Sequence, residues 1–188
     1  MSLEATRRRL TEKQADTVDR LTRAALEVLS REGFAGLTVR MVASAAGVGT
    51  ATAYTYFSSK EHLVAEVFWR RLAATAPAEP DGDADNVART VAVLRQIAML
   101  VADEPALAGA VTSALLGTDP DVAHLRVRIG SEIRRRLVTA LGDGADPEIV
   151  ESLELLYAGA LVRAGMGYAS YAEIADRLEQ AALRVLRH

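Results

Sequence analysis

Residues 42–60 read Val-Ala-Ser-Ala-Ala-Gly-Val-Gly-Thr-Ala-Thr-Ala-Tyr-Thr-Tyr-Phe-Ser-Ser-Lys, and no other stretch narrows the possible folds as far. An alanine-rich run favours helix, and Gly47 ends it because glycine takes a left-handed backbone without steric cost. A second short helix then begins near Gly49. It carries small and hydroxylated residues on one side and closes on aromatics and Lys60. Near an N-terminus, two such helices joined by a tight turn form a unit that reads DNA, the second helix being sized for the major groove.

The surrounding sequence supports a helical head. Residues 1–10 read as a flexible basic arm containing Arg7, Arg8 and Arg9. Thr11 and Gln14 have capping-box spacing. Val18, Leu21, Ala25, Val28 and Leu29 then recur at helical spacing up to a stop at Gly33. Thr38 is placed to cap the next helix, which turns Val39, Val42 and Ala43 inward and Arg40 outward. Ser58 or Ser59 is placed to cap a fourth helix over residues 60–76. Pro77 to Asp85 holds two prolines, a glycine and four acids, which marks a loop between head and body.

Beyond it the apolar stripes stay helical: Val87, Val91, Leu94, Ala98 and Val101; then Val122, Leu125, Ile129, Ile133 and Leu137; then Ile174, Leu178, Ala182 and Val185. Pro105, Asp119-Pro120 and Asp146-Pro147 open helices. Gly142, Gly144, Gly165 and Gly167 close them. Arg134-Arg135-Arg136 reads as a solvated face. No segment reads as a strand, so the expected fold is all-α: an arm over 1–10, a three-helix head over 11–60, a connecting fourth helix and a helical body over 77–188.

The net charge of −3 argues weakly against a nucleic-acid partner, but its distribution reverses that. Residues 1–60 carry nine Lys/Arg against six acids, a net of +3, which leaves −6 on the remainder. A basic head on an acidic body meets phosphate locally. Cysteine is absent, so disulfides and cysteine-based metal or nucleophile chemistry are excluded. The opening residues carry no signal-peptide run and no stretch is long enough to span a membrane, so a cytoplasmic location is expected.

A reading helix must be slim. Thr50, Ala51, Thr52 and Thr55 are, and each threonine offers a hydroxyl and a methyl to base edges. Tyr54, Tyr56 and Lys60 suit phosphate, as does Thr38 beside free N–H groups at a helix start. Thr38 serves equally well as a plain cap; since none of the slim residues of the reading helix is an Arg, Asn or Gln, specificity is expected from fit, from Arg40 or from the arm. Phe57 is expected to plug the small core with Phe34 and Leu63.

Ala46-Gly47-Val48, Thr52-Ala53-Tyr54-Thr55-Tyr56-Phe57 and Lys60 together resemble the tetracycline-repressor (TetR) family of one-component regulators. The resemblance spans roughly residues 15–65 and is most specific over 42–60. It implies a head that binds a double-stranded operator, with Thr38, Thr52, Tyr54, Tyr56 and Lys60 at positions matching DNA contacts. Gly49 stands where the family usually has a capping serine, so the cap weakens or moves to Thr50. Ala51 stands where a glycine is common.

The resemblance also implies a body that holds a small-molecule effector and dimerises through its last two long helices. Leu153, Leu156, Tyr157, Ala160, Leu161 and Ala164 make a stripe broad enough for core and partner. Candidate lining residues for the effector are Met99, Leu115, His124, Tyr157, Arg163 and Met166, with Tyr168 beside them; core packing or exposure competes with that role for each. No catalytic, cofactor or metal constellation is present in the sequence. The three histidines are not at ligand spacing, and Gly47-Val48-Gly49 lacks the third glycine of a dinucleotide loop. The expected function is a repressor released from a palindromic operator by a small apolar ligand. An activator, a ligand-independent architectural DNA binder and a helical protein-interaction module are the alternatives.

Overall fold

The computed structural model describes residues 12–78 and 85–187. Among them the chain forms nine helices and no strand. The arm, the Thr11 half of the expected capping box and residues 79–84 of the expected loop lie outside the described residues.

Helix α1 (Glu12–Gly36) buries Val18, Leu21, Ala24, Ala25, Val28 and Leu29, one stripe at three- and four-residue steps. It does not stop at Gly33. That residue takes φ 65°, ψ 173° and kinks the chain, after which one more turn forms and the Leu37 N–H donates to the Gly33 carbonyl at 3.1 Å. A single positive φ redirects the helix here without ending it. Helices α2 (Val39–Ala45) and α3 (Thr50–Tyr56) follow, joined through Gly47 at φ 62°. Helix α4 (Lys60–Ala74) is shorter than expected by two residues; Thr75 is already extended. Phe57 and Leu63 are buried together, whereas Phe34 is only half-buried.

The body comprises α5 (Asn86–Met99), α6 (Pro105–Leu116), α7 (Pro120–Leu141), α8 (Pro147–Gly165) and α9 (Tyr171–Leu186). The Asp-Pro starts behave as the sequence requires: Asp119 accepts from the Asp121 and Val122 N–H groups, and Asp146 from that of Glu148. Ser170 and Glu173 form a full capping box. Helix α9 packs on α5 and α8, α5 packs on α7, and α4 packs on α6 and α7. Helix α1 also reaches α6, so one continuous apolar core runs from head to body.

The basic run on α7 departs from expectation. Arg134 and Arg135 are exposed and pair with Glu154 and Glu132. Arg136 is 2% exposed. Its Nη2 donates to the carbonyls of Leu72 and Thr75, both at 2.7 Å, and its Nε donates to Glu132 at 2.8 Å. Leu72 and Thr75 end α4, where the carbonyls lack helical partners and the dipole is negative, so a guanidinium fits that place. Charge composition alone does not distinguish this arginine from its two solvated neighbours.

Candidate nucleic-acid interface

Helix α3 is held by one buried residue, Ala53, with Phe57 closing its end. Ala53 sits inward, so Thr50, Ala51, Thr52, Tyr54 and Thr55 all face outward. Tyr54 is 49% exposed, while Tyr56 turns back and is half-buried against the core. Gly49 is the N-cap and makes no side-chain cap hydrogen bond. The first N–H groups of α3 therefore carry no side-chain acceptor from the cap, as the absent serine implied. Thr55 donates to the Ala51 carbonyl at 3.1 Å, which leaves its hydroxyl an outward acceptor.

Thr38 and Arg40 are exposed at the start of α2. The Thr38 hydroxyl accepts from the Met41 N–H at 3.2 Å, so it is a cap whose own proton stays available. Lys60 faces inward in part. Its Nζ donates to the Phe34 carbonyl at 2.8 Å and the Ala35 carbonyl at 3.3 Å, and lies 4.6 Å from the Phe34 ring centre. It thereby ties the kinked end of α1 to the start of α4 and keeps one N–H direction for other acceptors.

Arg20, which sequence reasoning counted only as charge, braces the turn. Its Nη2 donates to Ala46 O at 2.6 Å and Gly47 O at 3.0 Å. Gly47 is required twice over: its φ is positive, and a Cβ there would lie 3.3 Å from that same Nη2. An arginine 26 residues before a glycine turn gives no local signal of this contact.

Helix α7 runs beside α4 and grips it at three levels. Ser59, the cap of α4, donates to the Asp119 carboxylate, which holds that carboxyl below its ordinary range; desolvation opposes this shift. Further along, the Arg128 guanidinium lies 4.2 Å from the Trp69 ring centre. Arg136 holds the far end. Arg71 adds a tie from α4 to the α5–α6 connection, through Leu100 O at 3.0 Å and Glu104 at 2.7 Å.

The adjacent face of α7 lines a cavity of about 260 Å³ between α6, α7 and α8. Its wall includes Val111, Leu115, Arg126, Ile133, Tyr157 and Leu161. Of the expected lining residues, Leu115 and Tyr157 are there. Met99 packs at the core's edge, His124 is exposed, and Met166 is 67% exposed. Arg163 lies in a separate open groove between α8 and α9, with its guanidinium 5.1 Å from the Tyr168 ring centre. Polar tips in apolar runs suggested a pocket wall; three helices approaching at one level make it. Leu155, 68% exposed, stands on the α8–α9 groove. Among the described residues no cluster of three metal-ligating side chains forms, and no helix is long and apolar enough to cross a membrane.

Residues 21–67 match the family model for bacterial regulatory proteins of the tetR family. An uncharacterized HTH-type transcriptional regulator of Mycobacterium tuberculosis is 48% identical over 168 residues, covering 88% of this chain and 78% of its own length. The HTH-type transcriptional repressor KstR of Rhodococcus jostii is 26% identical over 171 residues, covering 88% of this chain and 81% of its own. A TetR transcriptional regulator from Rhodococcus sp. has the same fold, with TM-score 0.77 and 21% identity over 95% of this chain and 99% of that one. With the turn, the reading helix and the helical body all in place, the chain belongs to the TetR family of bacterial transcriptional regulators.

Proposed function

We propose that this regulator is a cytoplasmic homodimeric repressor that leaves a palindromic operator when a small apolar ligand enters its body. Helix α7 carries that reading. One of its faces lines the cavity through Arg126, Ile129, Gly130 and Ile133, while Asp119, Arg128 and Arg136 hold α4. A ligand that displaces α7 therefore displaces the helix that leaves the head. Couplings of this kind are typically about 1–3 kcal/mol, enough for a large change in occupancy.

The operator contacts divide by chemistry. Thr50, Ala51, Thr52 and Thr55 face base edges. Arg40, Tyr54 and the uncapped N–H groups beyond Gly49 face phosphates, with Thr38, Tyr56 and Lys60 at the margins. The head and connecting helix end near residue 76, and residues 77–188 form the sensing and dimerising part. The exposed Leu155 and the α8–α9 groove support pairing there, and two heads on a two-fold axis would meet half-sites one helical turn apart. The KstR relative, named as a repressor, favours repression over activation.

Footprinting on selected operators tests the reading, followed by operator titrations with compounds found in a thermal-shift screen. Protection of two related half-sites by one dimer and loss of binding at ligand saturation are expected. Protection of a single half-site by a monomer contradicts the dimer. Operator affinity unmoved by every cavity ligand favours a ligand-independent architectural protein.

A further inference from the structure

The cavity between α6, α7 and α8 has a wall specific enough to define its occupant. Tyr157 is 5% exposed, and its hydroxyl makes no hydrogen bond among the described residues. Its neighbours are already satisfied. The Thr112 hydroxyl donates to the Ala108 carbonyl at 3.1 Å. The Thr112 and Tyr171 hydroxyls lie 3.4 Å apart, so with the Thr112 proton engaged, Tyr171 is the donor in that pair. The Tyr157 proton is left without an acceptor. Burial pushes this phenol well above its ordinary range, so it stays protonated and remains a donor. This hydroxyl is not among the fully buried atoms without a partner, so it reaches the cavity space, where a ligand oxygen would replace water as its acceptor.

The wall's charges are engaged. Arg126 donates through Nη1 to the carbonyls of Leu115 at 3.3 Å and Gly117 at 2.9 Å, so its charge answers the negative end of α6. Glu154 is paired with Arg134 at 2.6 Å. An anion entering would face the Glu154 carboxylate and lose its hydration against a mostly apolar wall, with the Arg126 guanidinium already turned to the carbonyls that end α6. Volume gives the expected size. An apolar cavity of about 150 Å³ accepts benzene, so in proportion a volume of 260 Å³ takes about ten non-hydrogen atoms.

We infer that this cavity takes a compact, uncharged, mostly apolar molecule of about ten non-hydrogen atoms that offers one hydrogen-bond acceptor, a carbonyl, ester or ether oxygen, to the Tyr157 hydroxyl. The inference rests on the body being the sensor and adds which chemistry it senses. Tyr157 is the specificity-determining residue, and the aliphatic wall supplies most of the affinity.

Three probes of nearly equal size separate the possibilities: acetophenone, which is neutral with a carbonyl; isopropylbenzene, which is neutral without one; and benzoate, which is charged. Their binding to the full-length protein is measured by calorimetry without DNA, beside that of a long-chain acyl thioester, stearoyl-CoA. Acetophenone is expected to bind about fivefold to tenfold more tightly than isopropylbenzene. Tyr157→Phe, which keeps the ring, should erase that preference and leave isopropylbenzene unchanged. Gly130→Leu, placed where an added Cβ meets nothing within 4 Å, should abolish binding of both. Tighter binding of benzoate overturns the uncharged class, and tighter binding of stearoyl-CoA overturns the size limit. A preference for acetophenone that survives Tyr157→Phe, or no preference at all, overturns the role of the hydroxyl; no binding by any of the small probes overturns the proposal. Operator release is scored in a separate titration. Tyr157-dependent binding that leaves DNA affinity unchanged would sink the repressor reading and leave the ligand class standing.

Discussion

Helices α3 and α7 use their surfaces in opposite ways. Helix α3 has seven residues and buries one of them, so nearly everything else on it is free to meet an outside partner. Helix α7 has 22 residues and is engaged on two adjacent faces, one to the cavity wall and one to α4. Under the proposed function, the contrast separates the helix that reads from the helix that responds. A reading helix with little packing tolerates substitution on its outer face, so its chemistry can be tuned at small cost to the fold. A helix fixed on both sides cannot shift at one face without straining the other, because packed interiors rearrange in discrete steps.

The largest effect is expected where α7 meets α4. Arg136→Ala leaves Glu132 without one partner and the Leu72 and Thr75 carbonyls without their donor, and should cost about 3–5 kcal/mol in chemical denaturation. The same cluster has a pH signature. Hydrogen bonds from Arg135, and then from Arg136, hold the Glu132 carboxyl down at about 2, against desolvation. Its folded value lies below the unfolded one, so its contribution is complete above the ordinary carboxylate range and is lost as pH falls from about 4.5 towards 2. Glu132→Gln should flatten the stability profile across that acid window. An unchanged slope would mean the pair does not stabilise the fold.

In the head the expected costs are smaller and fall on the frame. Gly47→Ala forces a side chain into a left-handed backbone and against Arg20, for about 1–2 kcal/mol of stability and a matching loss of operator binding. Lys60→Met should cost about 1 kcal/mol in thermal or chemical melts, because the Phe34 and Ala35 carbonyls lose their donor. On the reading face itself stability should stay within about 0.5 kcal/mol. There Tyr54→Phe should weaken all operators by similar factors, about fivefold, while Thr52→Ala should reorder a mismatch panel with little change in mean affinity. If Thr52→Ala unfolds the head, or Arg136→Ala is silent, the contrast between the two helices is wrong.

Legibility in the sequence follows the same division. The head was readable because its signals are local: Gly47 for the turn, Thr38 and one of Ser58 and Ser59 for caps, and Phe57 for the small core. The helix starts at Asp119-Pro120 and Asp146-Pro147 were equally local, while the capping box at Ser170 emerged only in the structure. The cavity was not readable, since Val111, Ile133 and Leu161 are ordinary aliphatic residues whose meeting depends on where three helices approach. Of the expected lining residues, Tyr157 and Leu115 stand in its wall, whereas Met166 lies just past the end of α8 and His124 is on the exposed face of α7. Lys60 and Arg136 show the remaining gap. A cation seeks acceptors, and nothing local says whether they will be phosphates, solvent or the carbonyls that end a helix.

The link from cavity to operator is tested most directly by filling the cavity from α7 itself. Operator affinity is measured for Gly130→Leu beside the wild-type protein at fixed salt, after equal thermal stability has been verified. Gly130 lines the cavity and an added Cβ there meets nothing within 4 Å, so a leucine has room to extend into it, and the expected result is a loss of operator affinity of at least about fivefold, within the usual range of such couplings. Operator affinity within twofold of wild type, in a variant that no longer binds acetophenone, would contradict it.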